Sequence, residues 1–225
     1  MTKEETLYKL YEEAFNICMS NIDSVPESKD GGPANPLLIQ PSKEYFKSDY
    51  KVMYVGQETN GYEGPYRDSK GVSHLLNVYD LFANKGGCFK RGGQFWNAVK
   101  AFQMKFSENN SNTEFVWNNI VKIGKDWSKG IPPRTVLDWQ APWFDLFRKE
   151  LEILNPDRVI FFTGPNYDNM IKKAFTDATF IEVEGFKPRE LALVKSKDLP
   201  NRTYRTYHPG FLYRFGFNRV LNVIC

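Results

Sequence analysis

Lys51-Val52-Met53-Tyr54-Val55-Gly56-Gln57-Glu58-Thr59-Asn60-Gly61-Tyr62 decides how the rest of the chain is read. Val52–Val55 is an apolar run, short enough for a buried strand. It breaks at Gly56, which places the polar side chains Gln57, Glu58 and Asn60 at the strand end, and a second glycine, Gly61, follows. In an open α/β sheet the carboxyl ends of the strands are where ligands bind. A carboxylate there, between glycines that let a ligand approach the backbone, is a catalytic candidate. The same residues also suit a polar loop after a core strand, with Glu58 capping the next element.

Outward from this stretch, apolar strand patterns recur at Glu114–Ile123, Arg158–Gly164, Thr179–Val183, Leu191–Val194 and Thr203–Tyr207. Helical spacing separates many of them, over Val72–Ala83, Phe95–Phe106, Trp139–Leu154, Asn166–Phe175 and Phe211–Ile224. Strands separated by helices predict an α/β fold, a three-layer α/β/α sandwich with a mostly parallel central sheet. The Arg158–Gly164 run is almost continuously apolar, as a central parallel strand should be. Residues 1–46 have a different texture. An amphipathic helix over residues 4–20 (Leu7, Leu10, Tyr11, Ala14, Phe15, Cys18) leads into an extended, helix-free connection, Asp23–Tyr45, punctuated by Pro and Gly. This piece is expected to pack on a body formed by residues 47–225.

The functional edge then collects Gly56–Asn60, Asn119–Gly124, Thr163–Tyr167 and His208–Leu212. It holds the carboxylate of Glu58, the amide of Asn119 or its neighbour Asn118, and the imidazole of His208, one of two histidines in the chain. Two adjacent asparagines inside a strand are unusual, because an amide is expensive to bury unpaired.

The 225 residues suffice for one good core, and 41% hydrophobic with 25% charged residues is ordinary for a globular protein. Aromatic residues reach 16%, which suits either a ring-rich core or a surface that stacks on flat ligands. The net charge of +3 is unevenly spread. From Gly185 to Cys225, Lys187, Arg189, Lys195, Lys197, Arg202, Arg205, Arg214 and Arg219 face only Glu190 and Asp198. That is the pattern of a basic face meeting a polyanion, and equally of a solvated surface. Cys18, Cys88 and Cys225 are scattered without metal-ligand spacing, which argues for a reducing compartment and against a disulfide framework or metal cluster. The charged start lacks a signal-peptide run, and no apolar stretch approaches a membrane span, so a cytoplasmic location with no membrane partner is expected.

The order Gly56-Gln57-Glu58 after a strand, Asn119-Ile120-Val121-Lys122-Ile123, Leu154-Asn155-Pro156-Asp157-Arg158-Val159-Ile160-Phe161-Phe162-Thr163-Gly164, and Tyr207-His208-Pro209-Gly210-Phe211-Leu212-Tyr213-Arg214 resembles the uracil-DNA glycosylase superfamily. The likeness spans about 160 residues and leaves out the N-terminal piece. It implies a uracil-DNA glycosylase-like sandwich and a cofactor-free, metal-free monomer that excises a uracil-like or otherwise damaged base from single- or double-stranded DNA. By position, Glu58 takes the place of the acidic residue that orients water or stabilises the cationic sugar. Gln57 belongs to the same motif. Asn119 resembles the amide that reads the flipped base, and His208 the donor to the base oxygen. Leu212 resembles the apolar residue pushed into the duplex, and Arg214 is placed to hold backbone phosphate. Tyr62, Tyr66 and Phe89 are candidates for the ring stacked on the base.

The chain departs from the family where Thr59-Asn60-Gly61 replace the proline and bulky aromatic that exclude thymine, so uracil specificity is not implied. Two other functions fit: a protein of this fold that binds nucleic acid or a nucleotide without cleaving it, and an enzyme acting on free nucleosides.

Overall fold

The computed structural model describes residues 1–27 and 31–225. Six strands, β1 (Tyr50–Glu58), β2 (Thr113–Val121), β3 (Arg158–Phe161), β4 (Thr179–Glu182), β5 (Leu191–Lys195) and β6 (Thr203–Thr206), form one sheet in the order β2-β1-β3-β6-β5-β4. β1 runs parallel to β2 and β3, and β3 parallel to β6. β5 is antiparallel to β6 and to β4. The short segments joining these last strands have no room for the crossover helix that parallel pairing needs. The fold class is therefore α/β with a mostly parallel central sheet, as the strand–helix alternation predicts.

Strand alternation assigns the layers. Met53, Val55, Val159 and Phe161 point into one core, shared with α1 (Lys3–Ser20), α3 (Val72–Tyr79), α7 (Ala141–Leu154) and α8 (Asp168–Ala174). Val52, Tyr54, Ile160 and Phe162 point into the other, shared with α5 (Gln94–Asn109), α9 (Pro209–Phe215) and α10 (Phe217–Ile224). Of three shorter helices, α2 (Lys43–Lys47) and α6 (Arg134–Trp139) add Tyr45, Val136 and Leu137 to the first core, and α4 (Gly87–Arg91) adds Cys88 to the second.

Several boundaries differ from the sequence expectation. β1 does not stop at Gly56. It pairs on, with Gly56 beside Asn119 and Glu58 beside Val121, because β2 supplies a partner for those extra residues. The closing helix is cut in two at Gly216, whose φ of +123° suits glycine and ends α9. The helix expected over Trp139–Leu154 starts at Ala141, and Trp139 instead ends a separate helix that begins at Arg134. The connection Asp23–Tyr45 is not free of helix: a 3-10 turn covers Ile22–Ser24, and Ser42 Oγ accepts the Tyr45 N–H at 3.0 Å to start α2. Residues 28–30 of that connection lie outside the described residues.

The N-terminal piece is part of the first core. α1 begins in a capping box formed by Thr2 and Glu5, and it buries Leu7, Tyr11, Ala14, Phe15 and Cys18 alongside Leu37, Leu38 and Ile39. Tyr66, which the sequence offered as a substrate-stacking ring, belongs here too. It is fully buried, stacked on Phe15 and edge-on to Trp139, with its hydroxyl donating to the Phe15 carbonyl at 2.9 Å. A ring held on both sides by remote segments is scaffolding.

A polar network crosses this core. Glu150 of α7, 0% exposed, accepts from Tyr11 Oη at 2.7 Å, Lys122 Nζ at 2.6 Å and Asn118 Nδ2 at 2.9 Å. Lys122 also donates to the Leu37 carbonyl at 3.2 Å, and Tyr11 Oη accepts the Ile39 N–H at 3.2 Å. Burial pushes the Tyr11 hydroxyl well above its ordinary range, with Glu150 adding to the effect. Burial also lowers the Lys122 ammonium, and Glu150 opposes that. Removing one member of a buried ion pair costs ~3–5 kcal/mol because the other charge is stranded. Lys122→Met and Glu150→Leu are each expected to destabilise the protein by about that much. In urea unfolding the double variant should cost less than the sum by more than ~1 kcal/mol, whereas additivity would mean the groups are not coupled.

Candidate functional site

The carboxyl edge of the parallel strands opens into a cavity of about 820 Å³. A second depression, about 430 Å³, is lined by Arg148, Glu152, Lys197 and Asp198 among others, has no aromatic wall, and contains the Arg148–Asp198 pair at 4.0 Å. The larger cavity holds the carboxylate, amide and imidazole of the strand ends. Gln57 and Glu58 enter it from the end of β1, Trp117 and Asn119 from β2, and His208 from the β6–α9 turn. Thus Glu58, Asn119 and His208, spread over 150 positions of sequence, are brought around one space.

Asn118 and Asn119 separate by strand alternation. Asn118 turns into the first core and is tied to Glu150, and its Oδ1 accepts the Asn119 N–H at 2.8 Å. Asn119 therefore faces the opposite way and lines the cavity. Gly56 is its direct neighbour in the sheet, and a Cβ there would overlap Asn119 Oδ1 and come within 3.5 Å of the Phe95 ring. Glycine at 56 is a requirement of space, set by the amide beside it.

Glu58 is held at both oxygens. The Gly130 N–H donates to Oε1 at 2.9 Å, and the Tyr167 hydroxyl donates to Oε2. Burial pushes the Tyr167 hydroxyl far above its ordinary range, and Glu58 raises it further, so it stays a donor. A carboxylate still has lone pairs free when two donors are bound. The Gln57 amide donates to the Thr163 carbonyl at 2.8 Å and thereby fixes the end of β1 to the end of β3.

His208 starts α9. Its Nδ1 accepts the Gly210 N–H at 3.1 Å, which leaves the proton of the neutral ring on Nε2, and the ring lies 5.9 Å from Phe95 at 26°. Burial lowers its pKa below the ordinary 6.5. The imidazole is accordingly a neutral donor at physiological pH.

One wall is aromatic: Phe82, Phe95, Trp96 and Trp117 meet edge to face, Trp96 and Trp117 at 5.0 Å and 79°. Tyr62 lines the same space. Its hydroxyl and the Trp117 Nε1–H are buried without a hydrogen-bond partner among the described residues. Burial, and then Glu63, push the Tyr62 hydroxyl up. Phe89, the other candidate ring, is not among the lining residues: it packs edge-on to Trp96 and against Phe115, and is 38% exposed. Arg91 of α4 and Lys129 stand at the rim, both exposed.

Thr59, the first residue of Thr59-Asn60-Gly61, has a structural role. It is buried, and its Oγ1 accepts the Gly124 N–H at 2.6 Å. The Gly61 N–H donates to the Lys125 carbonyl at 3.2 Å, so the loops after β1 and β2 are zipped together. The N-terminal connection braces them: Ala34 N–H donates to Gly124, Asp126 N–H to Gly32, and the Asn35 side chain to the carbonyls of Glu63, Gly64 and Pro65.

Two expectations at α9 and the basic segment change. Leu212 is 2% exposed and packs in the second core, so it is not available to enter a duplex. The face that α9 shows to solvent carries Phe211, Arg214 and Phe215 instead. The basic C-terminal segment is not one surface. Arg205 is buried, tied to Asp168 at 2.9 Å and to the carbonyls of Pro188 and Arg189. Lys195, Lys197 and Arg202 lie where β5 ends and β6 begins, the sheet edge opposite the cavity.

Sequence reasoning missed Tyr167, Gly130, Arg91, Lys129 and the aromatic wall. Tyr167 falls within the strand-end segment 163–167, but nothing in its neighbours marks a tyrosine as a carboxylate's donor. Among the described residues no group of three or more His, Cys, Asp or Glu is placed to hold a metal ion, and no helix is long and apolar enough to cross a membrane. The three cysteines are free thiols.

Two outcomes check this geometry. Gly56→Ala should cost ~1–3 kcal/mol, the range for forcing a methyl into a packed site, with the Asn119 side-chain amide displaced in its NMR signals. An unshifted amide and unchanged stability would refute the close approach. For His208, the unfolded chain binds a proton below pH 6.5 that the folded chain does not. Its contribution to stability is complete above that pH and is lost as pH falls towards the depressed folded value. Comparing unfolding at roughly pH 7.5 and 5.5, His208→Asn should flatten this part of the slope. An identical slope would contradict the buried neutral ring. No protein-family model, curated protein or solved structure matches the chain.

Proposed function

We propose that the protein is a DNA glycosylase that hydrolyses the N-glycosidic bond of a uracil-like or otherwise damaged base flipped out of DNA. What carries this is the convergence of Glu58, Asn119 and His208, from three different strand ends, on a cavity with an aromatic wall. The volume falls within the range of small-molecule sites, and the wall suits a flat ring. A strand order of β2-β1-β3-β6 with helices on both faces supports a uracil-DNA glycosylase-like sandwich, as the sequence resemblance implies.

Each group has a task in that chemistry. As the bond from C1′ to the base nitrogen breaks, its electrons pass to the base and the sugar becomes cationic. The Nε2–H of His208 is a donor for the base oxygen on which negative charge grows. The Asn119 carboxamide offers one donor group and one acceptor to a pyrimidine edge. The Glu58 anion, fixed by Tyr167 and Gly130, stabilises the cationic sugar and accepts from the water that adds to C1′. Arg91 and Lys129 at the rim suit the phosphates on either side of the extruded nucleotide.

One observation favours a second function, binding without cleavage. Both Glu58 oxygens are engaged, and Thr59 is given over to holding Gly124, so the same residues also make a rigid nucleotide-binding edge.

A panel of oligonucleotides containing uracil, hypoxanthine or xanthine, single- and double-stranded, decides between them by abasic-site formation. Excision that falls ~10²–10³-fold in Glu58→Gln and in His208→Ala supports hydrolysis, since that is the usual cost of one preorganised electrostatic group. Salt-dependent binding with no abasic product supports the second function. No binding at low salt removes both.

A further inference from the structure

Trp127 is the most exposed large apolar side chain among the described residues, 83% accessible, and its backbone has a φ of +62°. A bulky residue in that left-handed region is an outlier that the surroundings must enforce. Here they do so from both sides. The Asp126 N–H donates to the Gly32 carbonyl at 2.9 Å, and the Gly61 N–H donates to the Lys125 carbonyl at 3.2 Å. Beyond the tryptophan, the Gly130 N–H is bound to Glu58 Oε1 at 2.9 Å. The indole is thus presented to solvent by a loop whose ends are clamped, one of them to the site's carboxylate. Lys129 and Gly130 of this loop line the cavity, so Trp127 stands beside its mouth.

The loop's charge indicates its occupant. Lys125 and Lys129 precede and follow the tryptophan in the chain, the first partly exposed and the second exposed, whereas the loop's acid, Asp126, is 3% exposed and turned inward. An exposed ring on a loop that carries two lysines, next to a cavity with an aromatic wall, matches the way single-stranded nucleic acid is gripped: bases stack on rings and phosphates meet lysines. We propose that Trp127 is a base-stacking residue outside the cavity, taking the nucleobase adjacent to the one that enters it, from an unpaired strand. This rests on the cavity accepting a base that is still part of a strand. It assigns the grip on the neighbouring nucleotide to the loop after β2, with Leu212 buried in the core.

The test is fluorescence anisotropy with a labelled, undamaged 12-residue oligothymidylate, run beside base release from a uracil-containing strand. Trp127→Ala should weaken binding about 5- to 150-fold, the effect of losing one stacked base, with the salt slope unchanged because no phosphate contact is removed. Trp127→Phe should restore most of the affinity, and the melting temperatures of all three proteins should agree. Binding by Trp127→Ala within about twofold of wild type overturns the proposal. So does a wild type that fails to bind the strand at low salt, which would leave a protein partner as the occupant of this surface. Release by wild type that Trp127→Ala leaves intact, along with its binding, sinks the stack and keeps the hydrolase. Weakened binding in Trp127→Ala with no release by wild type keeps the stack and sinks the hydrolase.

Discussion

Three donors converge on the buried carboxylate of Glu150: the Tyr11 hydroxyl, the Lys122 ammonium and the Asn118 amide. A charge at 0% exposure is tolerable only when paired and hydrogen-bonded, so each donor is held where Glu150 needs it. The donors come from α1 and from β2 with its continuation, and the acceptor from α7. Lys122 and Tyr11 further engage the backbone of Leu37 and Ile39. One carboxylate therefore joins the N-terminal helix, the extended connection, the edge strand and a helix of the first layer. Its reach extends to the site. With Asn118 committed to Glu150, strand alternation leaves Asn119 to face the cavity, and the missing side chain of Gly56 makes room for its amide.

The cavity is assembled as a consequence of that frame. Its polar groups come from three strand ends, and three of them are held by hydrogen bonds to the surrounding frame. Gln57 is fixed to Thr163, Glu58 to Tyr167 and Gly130, and His208 to Gly210. The N-terminal connection has a direct part in this, because Gly32, Ala34 and Asn35 bond to the loops that follow β1 and β2. Preorganised donors and a fixed carboxylate are what an electrostatic mechanism requires, since groups already oriented cost no rearrangement as charge develops.

How much of this could be read from the chain depends on the range of the interaction. Strand positions were legible because Val52–Val55 and Arg158–Phe162 are locally apolar, and the edge followed from where such runs end. The pair Asn118-Asn119 was legible as an anomaly, but its resolution was not: Glu150 lies 32 positions on and reads as one more charged residue on an amphipathic helix. Tyr66 was misassigned for the same reason, since the rings that enclose it, Phe15 and Trp139, are distant in sequence. Leu212 failed differently. Its expected role rests on position in the Tyr207–Arg214 resemblance, which carries no information on burial, and packing against α5 turns Leu212 inward and leaves Phe211 and Phe215 outside. Trp127 gave no local signal, because its loop is clamped by hydrogen bonds of Lys125, Asp126 and Gly130 with the distant Gly61, Gly32 and Glu58.

In the proposed function His208 and Asn119 address one ligand, a nucleobase, from two strand ends on the same edge of the sheet. Long-range ¹H–¹⁵N NMR of the imidazole rings, recorded with the asparagine side-chain amides during titration with a uracil-containing oligonucleotide, tests it most directly. The predicted result is a neutral His208 protonated on Nε2, with that nitrogen and the Asn119 amide shifting together as the strand is added. A His208 protonated on Nδ1, or a strand that binds while both signals stay in place, would contradict it.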